Sequence, residues 1–208
     1  MYIPPTFRGK DRSSIHVVMR GAPLANFVTA TEDGLIATPL PMFLQEREGE
    51  MGTLYGHLAR ANPQWRMRPT GEAMAIFMGP DVYITPSWYV TKEETGKVVP
   101  TWNYVAVHAY GPVEFFDDEC RLHDVVSRLT DLHEAARSKP WAVTDAPADF
   151  TESQLKGIVG LRMPITRLDG KCKMSQNRNA ADRAGVIKGL SESPNAEERA
   201  IAKLIRET

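Results

Sequence analysis

The stretch Gly56–Trp65, GHLARANPQW, places a histidine, an arginine, an asparagine and a Pro-Gln-Trp directly after residues fit for a β-strand. Arg60 and Asn62 suit an anion, because arginine's planar fork donates to phosphate or carboxylate and amide N–H groups can complete such a cradle. A solvated loop is the plainer explanation of the same residue types. A second tract, Lys171–Leu190 (KCKMSQNRNAADRAGVIKGL), raises the same choice. There Lys171 and Lys173 precede Ser175, Gln176, Asn177 and Arg178, and Asn179 can cap a helix whose free N–H groups attract negative charge. The plain alternative is a well-capped strand-to-helix connection. A third feature is the recurrence of Trp102, Tyr104, His108 and Tyr110 on one face of a long strand, an aromatic surface better suited to a ligand or subunit partner than to a dry interior. Two donor clusters and an aromatic face together suggest a ligand with both a flat ring and a phosphate.

Other chemistries lack their signatures. The histidines (His16, His57, His108, His123 and His133) form no H-E-x-x-H or similar pattern, so metal chemistry is not expected. Cys120 and Cys172 lack a C-x-x-C partner, which points to a reduced protein without a zinc or redox motif. Neither Ser87 nor Ser175 sits in a G-x-S-x-G elbow. Glu46, Glu48, Glu50, Glu93 and Glu94 fall in loop-like segments, so no catalytic residue is assigned. A dinucleotide-type G-x-G-x-x-G and a Walker A loop are both missing. The formal net charge of −1 gives no domain-wide basic footprint for nucleic acid, although a dimer can gather a local one. With no apolar leader and no run of eighteen apolar residues, a soluble cytoplasmic protein without a membrane partner is expected.

The elements that must position these residues follow from periodicity. A helix is expected over 11–21 with Asp11 as its cap. Phe27–Ala30 and Leu35–Leu44 read as strands around Thr31–Gly34, where Asp-Gly favours a hairpin. Pro39 and Pro41 lack amide donors, so the second of these strands is expected at an edge or bulge with backbone groups left for a ligand. Gln45–Gly52 reads as a charged loop and Thr53–Ala59 as a strand, with Tyr55 and His57 on one face and Leu54 and Leu58 on the other. Ala73–Met78 and Val82–Thr85 flank Gly79-Pro80-Asp81, a second hairpin signal, and Pro86–Pro100 reads as a solvated turn. Trp102–Phe116 is the longest strand signal, with Val105, Val107 and Ala109 toward the core. A helix over about 118–137 turns Leu122, Val125, Val126, Leu129 and Leu132 to one side. Thr151–Gln154 has the form of a capping box opening a shorter helix. Ile158–Lys173 returns to the sheet, and helices are expected over Asn179–Leu190 and Glu197–Ile205. Strands first and helices afterwards indicate an α+β fold around a small barrel.

MYIPPTF at 1–7, GHLARANPQW at 56–65, PSWY at 86–89, VPTWNYVAVHAYG at 99–111 and KCKMSQNRNAADRAGVIKGL at 171–190 together resemble the PaiB-type family of FMN-binding proteins, described as negative transcriptional regulators. Leu24 and Met174 stand where the family tends to have phenylalanine and leucine. The resemblance implies an FMN-binding split β-barrel of the pyridoxamine-phosphate-oxidase-like kind, one domain over 1–208 with a helical extension at about 179–208. It also implies a homodimer with FMN at the subunit interface and a DNA or regulatory-protein partner. By this resemblance Thr38, Pro39 and Leu40 meet the isoalloxazine edge, and the strand carrying His57 and Leu58 also lines the flavin. His57, Arg60 and Asn62 lie toward the ribityl phosphate, while Trp102, Asn103, Lys173, Ser175 and Gln176 approach from elsewhere or from the partner. A flavoenzyme reading, an FMN-dependent oxidoreductase with a substrate pocket near Trp88, Tyr104 and His108, shares the same cofactor.

Overall fold

The computed structural model describes residues 1–9 and 11–208. In chain order the elements are α1 (Arg12–Gly21), β1 (Leu24–Thr31), β2 (Gly34–Gln45), β3 (Thr53–Ala59), β4 (Ala73–Ile84), α2 (Val90–Thr95), β5 (Thr101–Gly111), β6 (Glu114–Phe116), α3 (Glu119–Glu134), α4 (Ala148–Leu155), β7 (Ile158–Pro164), β8 (Arg167–Lys173), α5 (Ala180–Ser191) and α6 (Ala196–Glu207). Among the described residues the strands follow the order β6-β7-β3-β2-β1-β4-β5-β8 in one sheet. The chain packs as two compact units. The first comprises Met1–Val18, Met78–Val107 and Asp169–Thr208, and the second Met19–Phe77 and His108–Leu168.

In the second unit, β1 and β2 form the expected hairpin, with Thr31 opposite Gly34 and only Glu32 and Asp33 between them. Gly34 carries a φ of 115°, which an L side chain rarely adopts. Gly34–Pro41 registers with β1, whereas Met42–Gln45 registers with β3. The prolines of β2 therefore lie in the segment that β3 does not pair, where a missing N–H costs no ladder bond on that side. β3 pairs along its whole length with β7, from Thr53 opposite Pro164 to Ala59 opposite Ile158. Its alternation is as expected: Leu54 and Leu58 are buried and Tyr55 and His57 half-buried. Leu122, Val125 and Leu129 of α3 form a core with Phe116 and Leu155, against which Phe43 and Tyr55 pack. Asp118 caps α3, accepting from the N–H of Arg121 at 2.8 Å.

The first unit has its own core, in which Val82, Ile84, Tyr89 and Val105 meet Met174, Val186, Leu190, Ile201 and Ile205. Asn179 caps α5 through the N–H of Asp182 at 2.8 Å, and Asn195 caps α6 through that of Glu197 at 2.8 Å. The Asn179 cap is at the expected position.

Three local expectations are corrected. Gly79-Pro80-Asp81 is not a hairpin, because β4 runs unbroken from Ala73 to Ile84. Gly79 serves close approach instead: a Cβ there would stand 3.0 Å from that of Val105. The charged run after PSWY is a short helix, α2, ended by Gly96 at φ 66°. Thr151 lies inside α4 rather than at its start. Pro147 occupies the cap position, and the Thr151 hydroxyl donates to the Pro147 carbonyl at 3.3 Å.

Candidate functional site

Beyond Ala59 the chain leaves the sheet and winds into a single 3-10 turn, Pro63–Arg66, capped by Asn62. Asn62 accepts from the N–H of Gln64 at 2.9 Å and donates from its amide to the Thr38 hydroxyl at 2.9 Å. Thr38 in turn donates to Gln64 Oε1 at 2.7 Å. Gln64 is fully buried, and its Nε2 donates to the Thr29 hydroxyl at 3.0 Å and to the Ile36 carbonyl at 3.3 Å. This loop thus fastens onto the half of β2 that β3 leaves unpaired. Thr38 and Asn62 are brought together, and the residue joining them is Gln64. Sequence reading passed over it; its place two residues after a cap asparagine was the available signal.

Arg60 faces other partners. Its Nε donates to the Lys156 carbonyl at 2.8 Å and a terminal nitrogen to the Ile158 carbonyl at 3.2 Å, while Asp117 lies 3.4 Å away. The Lys156 carbonyl stands at the C-terminus of α4, where the last turn leaves acceptors without intrahelical donors. Trp65 Nε1 donates to the Arg60 carbonyl at 3.0 Å. Leu40 and Leu58 are core residues, and Pro39 is exposed. His57 makes no hydrogen bond among the described residues, and burial holds its imidazole below the usual histidine pKa, so it is neutral at pH 7.

The sheet face that carries Tyr55 also holds an ionic network. The Tyr55 hydroxyl donates to Glu48 at 2.8 Å, and Arg162 donates to the same carboxylate at 2.6 Å. Burial alone would raise the pKa of Glu48, but hydrogen bonds from Arg162 and Tyr55 outweigh it and hold the carboxyl below its ordinary value. These partners come from one loop and two strands. Neither spacing nor motif could have joined them in the sequence.

In the first unit, Asn103 and Ser175 are both buried and hydrogen-bonded, with Nδ2 2.9 Å from the hydroxyl. Ser175 takes a φ of 62°, a left-handed turn that ends β8 and redirects the chain toward α5. Gln176 holds this turn from within. Its Oε1 accepts from the N–H of Met174 at 2.6 Å, and its Nε2 donates to the Cys172 carbonyl at 2.8 Å. Lys173 contacts the Thr101 hydroxyl through Nζ. Lys171 donates to the Tyr2 carbonyl at 3.2 Å and lies 5.1 Å from the Tyr104 ring. Arg178 stacks over Tyr89 at 4.3 Å, and burial holds the Tyr89 hydroxyl above the usual tyrosine pKa, with Arg178 offsetting part of the effect. Trp102 is exposed and meets Tyr83 edge to face at 6.0 Å. Trp88 packs on α5, where a Cβ at Gly185 would overlap its carbonyl.

The electrostatics of this cluster are one-sided. Lys171, Lys173 and Arg178 make no ion pair among the described residues. Burial first, and then repulsion from Lys171 and Arg178, holds the Lys173 ammonium below the usual lysine pKa, with Tyr104 offsetting part of the effect. Convergent cations with no ion pair among the described residues fit a phosphate group. Among the described residues no three His, Cys, Asp or Glu side chains are placed to hold a metal ion, and no helix is long and apolar enough to cross a membrane.

Residues 1–167 match the family described as "Putative FMN-binding domain". The Bacillus subtilis protein named protease synthase and sporulation protein PAI 2 is 33% identical over 203 residues, covering 96% of this chain and 95% of its own. An uncharacterised protein of Emericella nidulans is 32% identical over 243 residues, covering 100% and 97%. Among solved structures, the FAD and heme binding protein from Mycobacterium smegmatis shares the fold with a TM-score of 0.60 at 15% identity, covering 85% of this chain and 78% of that one. The α+β split β-barrel expected from the sequence is the fold the chain adopts.

Proposed function

This chain belongs to the PaiB-type family of FMN-binding proteins, and we propose that it works as a homodimeric flavoprotein that represses gene expression through a protein partner. The observation that carries the FMN assignment to particular residues is the cluster of Lys171, Lys173 and Arg178, which makes no ion pair among the described residues. When bound, FMN supplies an isoalloxazine ring able to take up and release electrons. Lys173 and Arg178 neutralise its phosphate, and the Ser175 turn, held by Asn103 and Gln176, fixes where those cations stand. In the second unit, the backbone of Thr38–Leu40 is left unpaired by β3. Asn62 and Gln64 keep that strand segment in place, while Arg60 anchors the loop with three of its five N–H donors and keeps two for a ligand.

The dimer is supported by the exposed Tyr83–Trp102 pair, an aromatic surface that a second copy would cover. Regulation is supported by the name of the Bacillus relative, which links that protein to protease synthesis and sporulation. The net charge of −1 argues for an intermediary rather than direct capture of DNA. Three measurements on one preparation test this reading. FMN titration should give stoichiometric uptake, sedimentation should give a dimer, and NAD(P)H oxidation should not exceed that of free FMN. Absence of FMN uptake would overturn the cofactor assignment. Rapid NAD(P)H turnover would instead make the protein an FMN-dependent oxidoreductase.

A further inference from the structure

The second unit encloses a cavity of about 140 Å³. Its walls are Met19, Met42, Leu54 and Phe77, all buried, with Pro23, Phe43 and Leu44 completing them. The exposed part of the lining is Arg20, Arg128 and Leu132. An apolar cavity of about 150 Å³ stays dry and accepts a single benzene ring. Three fused rings exceed that space, so this is not a place for an isoalloxazine.

We propose that the cavity is a binding site for a monocyclic aryl carboxylate, with the ring inside and the carboxylate at the two arginines. The only polar side chains in the lining are guanidinium groups, so an anion is the complementary end. Arg20 pairs with Glu46, and Arg128 pairs with Asp124 at 2.9 Å. All four side chains are 44–56% exposed, and exposed pairs of this kind contribute little, so they yield readily to a better acceptor. Each guanidinium also has five donors, enough to hold its partner and a ligand together. Arg128 lies 6.0 Å from the Phe43 ring, which keeps its head at the cavity mouth. Met19 and Met42 give the walls the adaptability to close on a flat ring.

The test titrates the FMN-loaded protein, labelled at its methionine methyl groups, with phenylacetate and with its neutral analogue phenylacetamide, read by NMR. Saturable shifts of the Met19 and Met42 methyl signals are expected, with the acid binding roughly tenfold more tightly than the amide. Arg128→Gln should bring the acid close to the amide, and Leu132→Trp, at the exposed mouth, should weaken both without altering FMN content. The proposal is overturned if millimolar phenylacetate moves neither methyl signal, or if acid and amide bind alike. Unchanged acid affinity in both Arg20→Gln and Arg128→Gln would also overturn it. Because FMN content is followed separately, loss of the flavin assignment and loss of this site are distinguishable.

Discussion

Arg60 and Arg178 come from two donor-rich segments that look alike in sequence, and they end in different electrostatic situations. Arg60 follows a strand whose neighbours, the end of α4 and the start of β7, present main-chain carbonyls within its reach. It turns to Lys156 and Ile158 and approaches Asp117. Arg178 follows a turn whose main chain is already satisfied. Gln176 bonds to both Met174 and Cys172, and the Arg178 N–H closes on the Ser175 carbonyl at 3.0 Å. Its guanidinium therefore lies over Tyr89, alongside Lys173, with no ion pair among the described residues. A cluster of donors stays available to an anion where the backbone around it has no further need of donors. Elsewhere the same side chains are consumed in holding loops together.

The largest effect that separates the two regions is expected from Lys173→Ala combined with Arg178→Ala. Loss of two charge-assisted contacts, at about 1.5–3 kcal/mol each, weakens FMN at least a hundredfold while the urea midpoint changes little. Flavin fluorescence titration beside an unfolding curve measures both quantities. Gln64→Leu comes next, with the opposite signature. It leaves Thr38, Thr29 and the Ile36 carbonyl short of partners and destabilises the fold by about 2–3 kcal/mol in urea unfolding. Arg60→Ala follows, at about 1–2 kcal/mol of stability, with FMN affinity reduced less than tenfold. If Arg60→Ala instead abolished FMN binding at unchanged stability, the contrast between the regions would be reversed.

The smallest effect is a pH dependence. His57 is neutral when folded and has a depressed pKa, so its protonation favours the unfolded chain, whose histidine titrates near 6.5. Stability is full above that value and declines as pH falls below it toward the folded pKa. Glu48, also depressed, adds a second loss as pH falls below about 4.5. His57→Gln should remove the upper part of the decline and leave the lower, as seen in thermal melts between pH 7 and pH 4. An unaltered profile would show that His57 does not contribute.

Much of the fold was legible because it rests on local rules. Asn179 caps the helix it was expected to cap, Asp33-Gly34 makes its hairpin, and the alternation along β3 and β5 assigns their buried faces. Gly79-Pro80-Asp81 misled because the same dipeptides that favour turns also serve strands that pass close to a neighbour, here Val105. At the site, the donor types were visible and their partners were not. That Thr38 meets Asn62 depends on how the loop folds back over β2, and that Arg60 meets Lys156 depends on contacts nearly a hundred residues apart. Gln64 and the Glu48–Tyr55–Arg162 network were hidden for the same reason.

Lys173 and Arg178 are proposed to hold the phosphate of FMN. The most direct test compares the affinities of FMN and riboflavin, which differ by that phosphate alone, in the wild-type protein and in the Lys173→Ala, Arg178→Ala variant. The wild type should favour FMN by roughly a hundredfold, and the variant should bind the two with nearly equal affinity. A variant that kept the full preference for FMN would place the phosphate elsewhere and contradict the account.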